Sequence, residues 1–392
     1  MEQIGQSAVK RLWRQKSELT SGQGIRRLLS WPAVATALIS DLHLGTTSGS
    51  DVLRRTPALE RLVDRLATVD ELVLLGDLLE LREAALRDVL RAARPVLAEI
   101  GRALAGRRIT VVAGNHDYQL AASLLDRLAA SDGNTLALET VAAPPPFGPL
   151  AEVADALGGD VRLAHPGVWI RPDVFAIHGH YLDAHNTVPT LERLAVGVVE
   201  RLVGGLPAGP LRPADYEAVL APVYELAYSF AQASPAARKL VGGGPSVRAW
   251  RRLAGSSGAR PGLHVRLAAA ALVGGGVAVL NRAGVGPLKP DLSATELRRA
   301  GLEAMAAVVA RLGIGADHVV FGHTHRAGPY PGDEGWTLPG GTRLINTGSW
   351  VAEPTFLGGV PHESPYFPGT WVLVPDSGPP RLERLLDEIP AP

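Results

Sequence analysis

The chain has 392 residues, 46% hydrophobic and 20% charged, which suits a globular protein of one large or two modest domains and excludes wholesale disorder. Thirty-nine basic residues balance thirty-nine acidic ones, so no global field recruits nucleic acid. No cysteine is present, which removes disulfides, thiolate metal sites and cysteine nucleophiles together and leaves His, Asp, Asn and Glu as candidate ligands.

Residues 1–33 form a basic arm, with Lys10, Arg11, Arg14, Lys16, Arg26 and Arg27 set against Glu2 and Glu18. With Leu12 and Trp13 it reads as a helix packed on the core by its apolar side or as a strip resting on anionic lipid. It has no apolar h-region with a small-residue cleavage site, so a cytoplasmic chain is expected, with peripheral membrane contact open to it. The longest apolar stretch, Leu267–Leu280, is interrupted by glycines and falls short of the roughly 18 residues a spanning helix needs.

Apolar runs then follow in order. Val34–Ser40, Glu71–Leu75, Ile109–Ala113, Val161–Leu163, Val174–Ile177, His318–Phe321, Arg343–Ile345 and Trp371–Val374 read as strands. Asp51–Leu66 and Arg82–Ala105 carry Leu, Val and Ala at helical spacing, so the first three strands should be parallel neighbours joined by right-handed crossovers. Residues 181–315 are rich in Ala, Leu and Arg, helical in pattern and punctuated by Gly/Pro clusters, before strands resume. This gives a sheet-based domain in two parts, residues 34–180 and 316–392, with 181–315 as a helical insertion larger than an ordinary loop.

Five of the strands end in potential ligands: Asp41-Leu42-His43, Gly76-Asp77, Gly114-Asn115-His116-Asp117, His178-Gly179-His180 and Gly322-His323-Thr324-His325. Turn chemistry alone explains any one of them. All five, each at the end of an apolar run, point to one site, because strand ends are where open α/β sheets place their chemistry. Residues i and i+2 of extended chain face one side, so Asp41 with His43, and His323 with His325, can each address a single point.

In this order the segments SDLHLG, GDLLE, GNHDY, HGH and GHTHR resemble the blocks of the calcineurin-like metallophosphoesterase superfamily. They look most like its bacterial branch that contains the UDP-2,3-diacylglucosamine pyrophosphatases, although that branch usually has Arg where His116 stands. The resemblance covers about residues 34–180 and 316–375 and implies a four-layer α/β/β/α sandwich; the insertion 181–315 starts just after His178 and ends shortly before His323 and His325, so it reads as a cap over the cleft. The resemblance also implies two divalent metals, one held by Asp41, His43, Asp77 and His325, the other by Asp77, Asn115, His178 and His323. The reaction implied is hydrolysis of a phosphate ester or pyrophosphate by metal-activated hydroxide. Two carboxylates and a hydroxide leave such a metal pair net positive, ready for a phosphate anion, and Asn115 adds an oxygen without charge.

His116 would then act as imidazolium on the transition state or the leaving oxygen, with Asp117 holding its ring or capping the following helix. Arg326 and His180 are candidate substrate contacts, His185 a neighbour of the site, and Asn346-Thr347-Gly348-Ser349 a supporting turn. Ligation by nitrogen and oxygen suits Mn, Fe or Zn, with Mn the expected ion. The rival class is a non-catalytic scaffold on the same fold; competent residues at all seven ligand positions favour a hydrolase. The insertion segments Leu194–Gly204, Val219–Ala233 and Leu267–Leu280 are apolar beyond the needs of a solvated lid, so a large, amphiphilic phosphoester is the expected substrate.

Overall fold

The computed structural model describes residues 35–131, 135–233, 275–291 and 293–389. The basic arm, and all of Leu267–Leu280 before residue 275, lie outside the described residues.

Three parallel strands, β1 (Thr36–Ile39), β2 (Glu71–Leu75) and β3 (Arg108–Val112), are joined through helices α1 (Thr56–Leu66) and α2 (Leu86–Ala103), as the alternating pattern requires. After α3 (Ala122–Ala129), a short edge strand β4 (Glu139–Ala142) and α4 (Pro149–Leu157), the chain enters β5 (Asp160–Arg171). This strand belongs to two layers. Its first half, from Asp160 to Ala164, runs parallel to β3, and its second half, from Gly167 to Arg171, pairs antiparallel with β6 (Val174–Ile177). The hinge needs Gly167, where a Cβ would stand 2.5 Å from the Ala176 carbonyl oxygen and from the Phe175 ring. Strand β6 continues in parallel to β7 (His318–Phe321) and β8 (Arg343–Asn346), while β9 (Thr370–Val374) and β10 (Arg381–Arg384) extend the other end beyond β1.

Side-chain alternation shows how the layers stack. Leu38, Val73, Leu75 and Val112 of the first sheet meet Val168, Ala176, Val320 and Ile345 of the second in one apolar layer. On the outer face of the first sheet, Ile39, Leu72, Leu74 and Val111 pack against α1, α2 and α4 through Leu62, Leu97 and Val153. On the outer face of the second, Phe175, Ile177, Val319, Phe321 and Leu344 pack against Tyr216, Leu220 and Tyr224 of α6 (Pro213–Gln232) and Met305 and Val308 of α7 (Ala294–Leu312). The result is the four-layer α/β/β/α sandwich.

That last layer corrects the reading of 181–315 as a cap set over a finished domain. Helices α6 and α7 both fall inside that segment, yet they cover the second sheet, which would otherwise expose its outer face. Among the described residues of that segment, those that line the cleft lie in the 3-10 turn His180–Ala184, near the start of α5 (Leu191–Val203) and in the first turns of α7.

Candidate metal centre

The five loops at the carboxyl ends of β1, β2, β3, β6 and β7 bring their ligand-type side chains together. Asp77 Oδ2 is shared, 3.6 Å from His43 Nε2 and 3.3 Å from His178 Nε2. To one side, His325 Nε2 lies 3.1 Å from His43 Nε2 and 3.3 Å from Asp41 Oδ1. To the other, Asn115 Oδ1 lies 3.2 Å from His178 Nε2 and 3.0 Å from His323 Nδ1. The groups Asp41/His43/His325 and Asp77/His178/His323 each place their ligand atoms within 4.8 Å of one another, and His116 joins His43 and Asp77 in a third such group. All seven residues read from the sequence as ligands thus converge.

The backbone is held in costly conformations to achieve this. Among the described residues the non-glycine positions with positive φ are Asp41 (54°), His43 (44°), Asp77 (51°), His323 (66°) and His325 (59°). Each left-handed residue costs on the order of 1–3 kcal/mol, and such strain gathers at sites whose geometry function fixes. The preceding glycines give the room: a Cβ on Gly76 would lie 2.4 Å from the His178 ring, and one on Gly322 2.2 Å from Ser40 Oγ.

Outer partners set the tautomers. His43 Nδ1 donates to Glu80 Oε2 (2.9 Å), His178 Nδ1 to the Leu75 carbonyl (2.9 Å) and His323 Nε2 to Asp183 Oδ1 (3.0 Å). Each ring therefore turns a lone pair inward, the arrangement in which histidine binds metal. Asp41 Oδ2 accepts from Ser40 Oγ and from the His323 N–H (3.0 Å), while its buried Oδ1 has no hydrogen-bond partner. An orphan carboxylate oxygen, three inward imidazole lone pairs and an inward amide oxygen repel one another unless a cation stands among them. The donor set fits divalent metal ions. Rotated by 180°, the Asn115 amide would donate to the same nitrogens instead, and the inward oxygen is the ligating orientation.

Electrostatics point the same way. Burial alone would raise the Asp77 carboxyl, but the imidazoles of His178, His116 and His43 outweigh it and hold the group well below the usual carboxylate range. Burial would lower His178, yet Asp77 and Asp41 push it up to about 10; for His43 the contacts with Glu80 and Asp77 overcome burial and push it up to about 9. The field of these carboxylates attracts positive charge, whether proton or metal.

Several expected roles move. Asp117 does not hold the His116 ring and makes no side-chain cap. It is buried, and its carboxylate accepts from the backbone N–H groups of Gly114 (2.7 Å), Leu78 (2.7 Å) and Leu79 (3.2 Å), tying the β2 and β3 loops together. Burial and the neighbouring Asp77 push it up to about 6. The partner of His116 is Glu80, whose oxygens lie 2.8 and 2.9 Å from Nδ1 and which grips His43 as well. His180 is fully buried, neither ring nitrogen has a partner, and it packs against the rings of His178 and Tyr224 rather than lining the cleft. Arg326 lines the cleft, but its guanidinium is matched bidentately by Asp333 (2.9 and 3.1 Å). His185 is 2.7 Å from the Tyr216 hydroxyl, away from the ligands. The Asn346–Ser349 turn does sit under the site: Asn346 Nδ2 donates to the Gly322 carbonyl (2.7 Å), and Thr347 Oγ1 meets Ser40 Oγ at 2.5 Å.

A cleft of about 330 Å³ opens from Asp77, Asn115, His116, His323 and His325. The rest of its lining includes the apolar side chains of Leu182, Leu297, Leu302, Trp336 and Phe356 and the ring of Tyr366. Glu80, which touches His43 and His116, Asp183, which touches His323, and Arg82, which touches His116, are neighbours of the site that the sequence did not single out.

Residues 35–201 match the family model described as calcineurin-like phosphoesterase, a span that holds five of the seven converging ligands. With the layers described above, the fold is that of the calcineurin-like metallophosphoesterases. Among solved structures, a dimetal phosphatase from Danio rerio is similar at 14% identity and a TM-score of 0.30, over 89% of this chain and 98% of that one. No curated protein matches the chain. No helix among the described residues is long and apolar enough to cross a membrane.

Proposed function

We propose that the protein is a metal-dependent phosphoesterase that hydrolyses a phosphate ester or pyrophosphate bond at a dinuclear centre. The observation that carries this reading is the set of three histidines whose tautomers are fixed with lone pairs inward, around a carboxylate, Asp77, that faces two of them. Asp41, His43, Asp77 and His325 would hold one ion and Asp77, Asn115, His178 and His323 the other, with Asp77 bridging. Bound there, the pair supplies Lewis acidity toward phosphoryl oxygens and a lowered pKa for water. Manganese is the expected ion, and iron or zinc suit the same donors.

The remaining tasks fall to the chain. His116, on the cleft wall and braced by Glu80, is placed to stabilise the phosphoryl group or protonate the leaving oxygen. The apolar wall contributed by α7, Trp336, Phe356 and Tyr366 supports an amphiphilic substrate whose apolar part lies against it. The likeness of SDLHLG, GDLLE and GHTHR to the UDP-2,3-diacylglucosamine pyrophosphatase branch supports the same direction, within a cytoplasmic protein that touches membrane peripherally.

A screen with added Mn2+ over an aryl phosphomonoester, an aryl phosphodiester, a nucleotide sugar and a phospholipid tests the proposal. Metal-dependent turnover, fastest on an amphiphilic member, is expected. A protein that binds two metals yet hydrolyses none of them would be the scaffold alternative.

A further inference from the structure

Arg82 belongs to no motif, yet its guanidinium stands beside the centre. It lies in the loop after β2, where its backbone N–H donates to Glu80 Oε1 (3.1 Å). Its side chain, 19% exposed, spans two residues of the cleft wall: Nη1 is 3.3 Å from His116 Nε2, and Nη2 is 3.7 Å from Glu192 Oε1 on α5.

Both are poor contacts for a guanidinium. The separation from Glu192 exceeds hydrogen-bond range, and the imidazole nitrogen at 3.3 Å is a long contact to a ring that offers no negative charge. Asn115 offers no better. The amide position turned away from His178 and His323 lies 3.1 Å from Nη1, and with the oxygen inward as a ligand that position is the NH2 group, a donor facing a donor. By contrast Arg54 is matched bidentately by Asp51, and Arg326 by Asp333. A planar five-donor fork without a matching acceptor, next to residues that line the cleft, lacks the partner that a phosphoryl group would supply.

We propose that Arg82 is a phosphate-binding residue: its guanidinium turns from His116 and Glu192 to an oxygen of the substrate's phosphoryl group. The inference rests on the phosphoesterase reading and adds to it a side chain that carries charge to the phosphate independently of the metal ligands. Glu192 then acts as the resting counter-charge, supplied by α5.

The test is calorimetric binding of inorganic phosphate to the Mn2+-loaded full chain, with bound metal and thermal unfolding measured alongside. Arg82→Ala should weaken phosphate by about 10–100-fold, the range for one charged hydrogen bond, with metal content and unfolding temperature as in the wild type. Arg82→Lys should fall between, since a point charge lacks the fork. Glu192→Gln should leave phosphate binding as tight or tighter, because it frees Arg82 and removes a negative charge from the cleft. Phosphate affinity within twofold of wild type in Arg82→Ala overturns the assignment. So does an equal weakening in Glu192→Gln, which would make Arg82 a brace between α5 and the His116 loop. A wild-type protein that holds two metals but neither binds phosphate nor hydrolyses any ester fails at the earlier step, and Arg82 loses its role with it.

Discussion

Replacing Gly114 by alanine removes no ligand and yet should deplete the centre of metal. A Cβ at this position would lie 2.2 Å from Asp77 Oδ1, 2.5 Å from the Asp77 backbone nitrogen and 2.9 Å from its Cγ. Real Cβ atoms essentially never approach closer than 3.0 Å, so the carboxylate must retreat by about 0.8 Å or more. It cannot do so freely, because Oδ1 also accepts the His116 N–H at 2.8 Å. Metal–ligand distances tolerate only about 0.2 Å, so the displacement exceeds what coordination allows at either position that Asp77 serves. The fold should survive, at an overpacking cost of about 1–3 kcal/mol. Elemental analysis should find fewer than two metals per chain, with phosphoesterase turnover lost in proportion. Gly340→Ala, where a Cβ meets nothing within 4 Å, should match the wild type in both. Two metals per chain and a wild-type rate in Gly114→Ala would refute the placement of Asp77 between the two ions.

Asp77→Asn should lower turnover more than any other conservative change, because it weakens both metal positions at once; a near wild-type rate with two metals bound would sink the bridging role. Glu80→Ala frees the tautomers of His43 and His116 together, so competition with a chelator should show metal affinity reduced by about 10–100-fold. His116→Ala should keep both metals but lose about 10²–10⁴ in turnover on esters with poor leaving groups, and less on an activated aryl phosphate. Equal losses on both would favour stabilisation of charge over proton donation. Away from the centre, buried Glu217 on α6 joins His165 Nε2 (3.0 Å), Tyr118 (2.9 Å) and the Tyr181 hydroxyl, and although burial opposes it, His165 and the tyrosines hold its pKa below the ordinary value. Its contribution is therefore present above the unfolded carboxylate pKa and is lost as pH falls through the lower folded value. Glu217→Gln should unfold about 1–3 kcal/mol more easily at neutral pH and lose less on acidification, whereas parallel acid profiles would contradict a charged Glu217.

The ligands were legible because each follows an apolar run and because glycine marks the tight approach at Gly76, Gly114 and Gly322. The outer partners were not. Nothing in local spacing distinguishes Glu80, which reaches back to two imidazoles, from Asp117, which sits next to His116 in sequence but turns to backbone N–H groups. The adjacency was misleading because the N–H groups of Gly114 in the β3 loop and of Leu78 and Leu79 in the β2 loop need an acceptor, and Asp117 supplies it. Strands β4 and β10 escaped notice for different reasons. Glu139–Ala142 is a half-buried edge before a proline run, and Arg381–Arg384 alternates charge with little burial. Strand β5 reads as three residues and runs to twelve, since Pro166-Gly167 looks like a break and is instead the passage between sheets. The helical pattern of 181–315 was plain, but only tertiary packing shows that α6 and α7 are a structural layer.

The most direct test of the account is a Mn2+ titration of chelator-treated protein that follows bound metal and aryl phosphate hydrolysis together. Two ions per chain should bind, with hydrolysis rising as the second position fills and falling again when chelator is restored. Saturation at a single ion, or hydrolysis that persists in the metal-stripped protein, would contradict a dinuclear phosphoesterase centred on Asp77.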